Sequence, residues 1–308
     1  MNHVWQRQLA DLVSLRKLTG RRFVIGVPFV WLALTFLLPF LIVLRISFAE
    51  IENGGNSFGN LLSFADGILS IKIKVANYLF IARDDLYALT YLSSLKFAAI
   101  TTLLCLVIGY PFAYFMARAR ASVRPALLML VMLPFWTSFL LRIYAWKGIL
   151  ANHGIANHWL LALGLIREPL HMMNTWFSLV IGMVYAYLPF MILPLYANLA
   201  KMDMRFLEAA ADLGATPMQV FWRITVPLSK SGIIAGALLV FIPAVGEYVI
   251  PELLGGPETL MIGHVLWDEF FTNNDWPMAS AVTVVVILLI LLPLTIFNKY
   301  KAEQGERV

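Results

Sequence analysis

Long apolar runs alternate with shorter polar segments along the chain. Six runs are long enough, or nearly so, to cross a bilayer as helices: 23–44, 95–116, 125–141, 176–196, 233–254 and 279–297. A spanning helix needs roughly 20 mainly apolar residues. The third run is the shortest, and Pro134, Thr137 and Ser138 blur its outer end. Prolines fall inside several runs, at Pro28, Pro39, Pro111, Pro189 and Pro243. In water they would break helices, but neighbouring helices in a membrane bundle re-satisfy the freed carbonyls. The pattern predicts an all-α membrane protein with six transmembrane helices. The first outer loop, about 45–94, is long; its stretch 53–60 reads as a turn and 78–91 as an amphipathic lead into the second span. No tandem repeat or low-complexity segment is found.

Lysine and arginine set the orientation of such a bundle. The N-terminal segment, the 2–3 and 4–5 connections and the tail carry fifteen of them, and the opposite side seven. Both termini are therefore expected in the cytoplasm. Residues 1–22 read as a cytoplasmic amphipathic segment, 23–298 as the six-span domain and 299–308 as a cytoplasmic tail. In the first segment Val4, Trp5, Leu9, Leu12, Val13 and Leu15 fall loosely on one helical face beside basic residues, which suits a helix lying on the inner leaflet. It is too polar for a secretory signal, and the apolar run after it is long enough to span.

Composition agrees with a lipid solvent. Hydrophobic residues make up 60% of the 308 and charged residues only 13%, about half the usual soluble share. The net charge of +5 sits in the cytoplasmic connections, which excludes a nucleic-acid surface as its cause. The one cysteine, Cys105, lies in an apolar run and reads as a small packed residue. No histidine cluster has metal spacing inside a span; His264 and Asp268 read as solvated mouth residues.

The connection 203–227 is the most specific feature. Asp203 can cap a helix start, because its carboxylate accepts an orphan backbone N–H. Residues 204–213 follow, with Glu208, Ala209, Ala210, Ala211 and Asp212, and Gly214 supplies a left-handed stop. Thr216-Pro217 opens a second short helix that Pro227 ends. The small alanines permit close approach of a partner. On local physics alone an ordinary amphipathic connector reads equally well.

Glu208-Ala209-Ala210, then Gly214, then Ile224-Thr225-Val226-Pro227 resembles the EAA motif of binding-protein-dependent ABC importer permeases, with Val226 in place of the usual leucine. The resemblance covers essentially all of 23–298. It implies the type I ABC importer permease fold and a coupling helix that docks in an ATPase subunit. It further implies a second permease subunit, an ATPase dimer and a periplasmic binding protein as partners. No Gly-x-x-x-x-Gly-Lys-Ser/Thr occurs, so hydrolysis belongs to another chain. The chain itself is expected to be no enzyme and to use no cofactor.

Glu247 lies in the middle of the fifth run, where a carboxylate costs about 2.5–3.5 kcal/mol on insertion scales. Two readings stand. It faces a water-lined route for a cation, with Tyr248, Trp136, Tyr144, Tyr185 and Tyr187 as aromatic walls for ammonium groups. Or it pairs with a backbone or a neighbouring subunit, and the aromatics are an interfacial belt. Gly246 permits close approach or local unwinding. The stretches 133–146 and 245–257, with Asp275-Trp276-Pro277, resemble the polyamine branch of the family, the putrescine type more than the spermidine-preferring one. Related branches carry ferric ions, opines or phosphonates. A secondary transporter would show inverted repeats or paired broken helices, and a membrane enzyme a catalytic constellation; neither is seen.

Overall fold

The structure, a computed structural model, describes residues 24–50, 62–65, 68–71 and 74–305. The expected inner-leaflet segment 1–22, the expected turn 53–60 and the last three residues of the expected tail lie outside them. The chain divides into two compact units, Met1–Leu79 with Asn274–Val285, and Phe80–Asn273 with Val286–Val308.

In the first unit, α1 (Val24–Ser47) is strongly apolar, and its most apolar 18-residue stretch has no buried residue. Phe29 and Phe36 are more than two-thirds exposed, which suits lipid and not water. A π turn spans Ala33–Leu37 inside α1. It ends two residues before Pro39, whose ring would collide with the carbonyl four residues back in a regular helix. The wider turn removes that collision. After α1 comes a short antiparallel hairpin, β1 (Leu62–Ala65) paired with β2 (Ile68–Ile71) in the register Leu62 to Ile71. Helix α2 (Ala76–Arg83) begins beside the end of α1, where the hydroxyls of Tyr78 and Ser47 lie 2.7 Å apart.

The second unit is built on three helices. The long α3 (Asp85–Arg118) packs against α7 (Trp176–Leu199), and α10 (Lys230–Val245) packs against both. The expected lead-in 78–91 is two helices, because Asp84 accepts a 2.8 Å bond from the Leu86 amide and starts α3 afresh. Ala98, Thr101, Cys105, Gly109 and Ala113 make the buried stripe of α3. Small residues are expected there, because helices in lipid associate through close packing rather than through a hydrophobic drive. Gly236 of α10 shows how close: a β-carbon there would meet the Met191 carbonyl at 3.1 Å and its sulfur at 2.7 Å. Between α3 and α7 lie α4 (Arg124–Trp136), α5 (Phe139–Leu150) and α6 (Ile155–Ala162). The connection after α7 carries α8 (Arg205–Asp212) and α9 (Pro217–Leu228). Beyond α10 follow α11 (Val249–Leu254) and α12 (Ile262–Trp267), and α13 (Trp276–Gly305) closes the chain.

All six apolar runs fall in helices, and three details of the expectation change. The third run does not continue to 141: α4 ends at Trp136, Thr137 and Ser138 are extended, and α5 leaves at 89°. The fifth run is two helices, broken at Gly246–Tyr248. Pro227 does not end its helix. A π turn at Phe221–Thr225 again precedes the proline by two residues, and α9 runs on to Leu228 before bending 64° into α10. Among the described residues three single helices are long and apolar enough to span, or five if each bent pair is one span, with a shorter apolar helix at Trp276–Leu291.

Gly236→Val should strain the crossing of α10 and α7. Overpacking of this kind costs roughly 1–3 kcal/mol, so the detergent-solubilised protein should unfold at a lower temperature than the parent. Gly26→Val, where a β-carbon meets nothing within 4 Å, should leave the midpoint nearly unchanged.

Candidate functional site

Two places combine specific geometry with chemistry. The first is the α8–α9 hairpin. Asp203 accepts a 3.0 Å bond from the Arg205 amide and opens α8, one residue later than the expected start. The far end closes with the two bonds of a Schellman cap, Ala215 N–H to the Ala210 carbonyl at 3.0 Å and Gly214 N–H to the Ala211 carbonyl at 2.9 Å. Gly214 has φ +83°, and a β-carbon there would meet nothing within 4 Å. Backbone conformation, not space, demands the glycine. Thr216 and Gln219 form a reciprocal capping box at the start of α9.

The hairpin is fixed on one side and open on the other. Val220 and Thr225 are buried, and the Phe221 ring stands edge-on to Tyr110, 5.5 Å away on α3. Arg118 lies over the Tyr114 ring at 4.9 Å. Glu208, Ala209, Asp212, Gly214 and Pro227 are exposed, while Ala210 and Ile224 are half-buried. Sequence reading missed the apolar tips of this surface. Leu213 is 89% exposed, and Phe206, Met218 and Trp222 are each more than half exposed. The available signal was the presence of four large apolar side chains in a connection that is otherwise polar.

The second place is the break between α10 and α11. Glu247 is only 9% exposed. Its Oε1 accepts from the amides of Val249 at 3.0 Å and Ile250 at 3.4 Å, which caps α11. Its Oε2 accepts a short bond from the Tyr187 hydroxyl of α7. Three donors on one carboxylate offset much of the cost of burying it. At the other end of α11, Ser178 of α7 donates to the Leu254 carbonyl at 2.6 Å. Helix α12 closes over the break: a β-carbon at Gly263 would lie 2.5 Å from the Glu247 carbonyl oxygen and 2.7 Å from that of Gly246. Gly246 itself has open space around it, so of its two expected roles the geometry uses local unwinding.

The expected aromatic wall divides. Tyr187 reaches Glu247. Tyr248 stacks on Trp267, with ring centroids 4.5 Å apart and planes within 11°. Tyr185 packs on Trp146 at 5.5 Å. Trp136 and Tyr144 stand 74% and 54% exposed and are not brought to the Glu247 group. Trp267 is a further member that sequence reading left out; its place three residues after His264 and next to Asp268 was the signal. His264 is not simply solvated. Its Nε2 lies 2.7 Å from Glu252 Oε2 and its Nδ1 3.0 Å from Asp268 Oδ2. Among the described residues no group of three or more metal-ligating side chains converges on one point. The arrangement sets a buried carboxylate at a helix break and an exposed acidic pair around an imidazole, groups that attract positive charge.

Comparison with known proteins fits this geometry. Residues 105–300 match the family described as "Binding-protein-dependent transport system inner membrane component". The spermidine/putrescine transport system permease protein PotB of Haemophilus influenzae is 41% identical over 92% of this chain and 94% of its own length. PotB of Escherichia coli K12 is 41% identical over 87% and 92%. Among solved structures, a chain of a bacterial ABC transporter that imports the acidic polysaccharide alginate superposes with TM-score 0.64 at 16% identity, covering 93% of this chain and 99% of that one. A chain of the MetNI methionine ABC transporter gives 0.53 at 15%, covering 68% and 92%. These likenesses bear out the expected fold, the helical architecture of type I ABC importer permeases. A matched region that takes in both the hairpin and the helix break, and relatives aligned over nearly the full length, make this chain a member of the family of binding-protein-dependent transport system inner membrane components.

Proposed function

We propose that the chain is one half of the transmembrane pore of an ATP-driven importer, paired with a second permease subunit, and that it passes polyamines of the putrescine/spermidine class from a periplasmic binding protein to the cytoplasm. The α8–α9 hairpin carries this reading. A surface capped at three of its ends, anchored on α3 and tipped with Phe206, Leu213 and Met218 is suited to a cleft in another protein and costly in water. An ATPase subunit dimer is that partner, since this sequence has no phosphate-cradling loop of its own. The chain sits in the inner membrane with the hairpin and both termini in the cytoplasm, flanking a six-span domain at 23–298.

The substrate class rests on two supports. Relatives aligned over most of the chain are named for spermidine and putrescine transport. Residues 231–298 contain six carboxylates and no Lys or Arg, and such a field gathers cations. Glu247 then serves twice. It caps α11, and its Tyr187 bond is the one that an arriving ammonium exchanges. One carboxylate walled by Tyr187 and Tyr248 binds weakly enough to release, while the external binding protein provides recognition. Tyr185, Trp136 and Tyr144 line the route further along.

The hairpin also explains how hydrolysis reaches the break. Helix α9 bends into α10 at Ser229, and α10, 16 residues and about 24 Å long, ends at Val245, two residues before Glu247. Movement of the hairpin therefore tilts a rigid strut whose far end is the site.

Three outcomes follow. In a Cys105→Ala background, Asn60→Cys should react with an impermeant thiol reagent in intact cells and Arg205→Cys should not; the reverse labelling contradicts the orientation. Gly214→Asp places a side chain at positive φ, which costs about 1 kcal/mol or more locally. Co-purification of the ATPase should fall severalfold while membrane insertion stays normal. Glu247→Gln keeps an acceptor for the α11 amides but loses the charge, so polyamine uptake should drop about tenfold with the assembled complex retained. Loss of the complex would leave Glu247 with the capping role alone.

A further inference from the structure

The cluster of Glu252 on α11, His264 on α12 and Asp268 just after α12 has a charge problem that the fold does not solve by itself. Glu252 and Asp268 flank His264, one at each ring nitrogen, at 2.7 and 3.0 Å. A neutral imidazole has one N–H, so it can satisfy only one of the two carboxylates. Its Nδ1 is buried without a hydrogen bond, close to Asp268 but not aligned with it. Both carboxylates are nearly half exposed. No Lys or Arg occurs between 231 and 298 that could serve them.

Space lies beside this pair. A cavity of about 330 Å³ opens against Glu252, His264, Asn174, Gly255, Gly256 and Thr259. That is the lower end of the size range for small-molecule sites. Its walls are shaped by close backbone packing: a β-carbon at Gly256 would fall 2.1 Å from the Asn174 carbonyl oxygen, and Asn174 itself has φ +57°. On the other flank the Tyr248 ring lies 5.9 Å from the imidazole and stacks on Trp267. With the imidazole in place, these side chains form no metal centre among the described residues. The two carboxylates sit at different nitrogens of one ring, so the three side chains do not point at a common centre. A primary ammonium on a flexible alkyl chain fits better. It carries three donors, enough for both carboxylates, and its methylenes can lie in the cavity.

We infer that Glu252 and Asp268 form a receiving site for one ammonium end of the substrate, which His264 occupies in the empty transporter and yields on arrival. The inference rests on the polyamine reading above and deepens it, adding a station whose Glu252 stands on α11, the helix that Glu247 caps. His264 is a placeholder: its ring stands between the two carboxylates, with an N–H for one of them, until an ammonium with donors for both takes its place.

The test is uptake of labelled putrescine by cells expressing the complete transporter, with binding of the loaded binding protein to the purified complex measured separately. Glu252→Gln with Asp268→Asn removes both charges at nearly constant volume and should lower uptake about tenfold, as expected for lost charge-assisted bonds, with the binding protein still captured. His264→Gln removes the resident imidazole and should raise uptake, about twofold or more. A structural salt bridge predicts the opposite sign for His264→Gln, so a fall in uptake there overturns the inference. So does unchanged uptake in the double variant, or a loss of binding-protein capture in proportion to uptake, which would make this surface a protein docking site. If the double variant does not assemble, the sign of the His264→Gln effect decides alone. Failure of the parent transporter to take up any polyamine would refute the functional reading itself, whatever the variants do.

Discussion

Lipid offers a broken helix no hydrogen-bond partner, and the break at Gly246–Tyr248 stands because side chains take the place of water. Glu247 receives the first amides of α11, and Ser178 covers the Leu254 carbonyl at the other end. A six-residue helix at that depth would otherwise leave donors and acceptors bare, each at a cost of several kcal/mol. The neighbouring features follow from that constraint. The carboxylate must be buried to reach the amides, so it needs Tyr187. The helix must lie against α7 to reach Ser178, and α7 has Gly182 where a β-carbon would come within 2.5 Å of Leu254.

The same constraint separates what could be read from the sequence and what could not. Twenty consecutive apolar residues carry their own argument, so the six runs and the helical class were legible. Local caps were legible too: Asp203, Thr216 and Gly214 act within three residues of themselves, and each does what its type and position suggest. Breaks were harder. Pro111 and Pro189 sit inside unbroken helices, while the 89° bend falls at Thr137–Ser138, where Pro134, Thr137 and Ser138 had already blurred the end of the third run. In a packed bundle a proline's lost bond is absorbed by a wider turn or a neighbour, so its presence does not locate a break. The depth of Glu247 signalled that something must offset its charge. What offsets it is 60 residues away on α7, and no local pattern announces that partner. Of the two expected answers, water with a passing cation or pairing with a backbone, the structure shows the second in two amides and adds Tyr187.

This ordering of partners bears on how a permease can use a buried acid. A carboxylate left bare for the substrate would destabilise the empty protein and would also hold a cation too firmly. A carboxylate already bonded to a tyrosine hydroxyl meets the cation in an exchange, where one hydrogen bond is given up as another forms. Exchange keeps the net affinity small, because only the difference between the two partners is gained. His264 between Glu252 and Asp268 stands in the same relation to its carboxylates.

On that proposal, the geometry of α10 would tie these exchanges to the hairpin. Its lower end is held at Ser229, whose hydroxyl lies 2.8 Å from that of Tyr110 on α3, and its middle is pinned where Gly236 meets Met191. A strut fixed at a close crossing pivots there more readily than it slides, because sliding would drive Met191 into the residues on either side of the glycine. Pivoting moves the two ends in opposite directions. At the upper end the contacts that must give are polar and few: the Tyr187 bond to Glu247 and the approach of Gly263 to the Gly246 and Glu247 carbonyls. The apolar core among α3, α7 and α10 can stay closed while those contacts change. On the function proposed above, a machine that must open a path for a cation without exposing its core to lipid or water needs its weakest contacts at the path, and hydrogen bonds that a cation could replace meet that need.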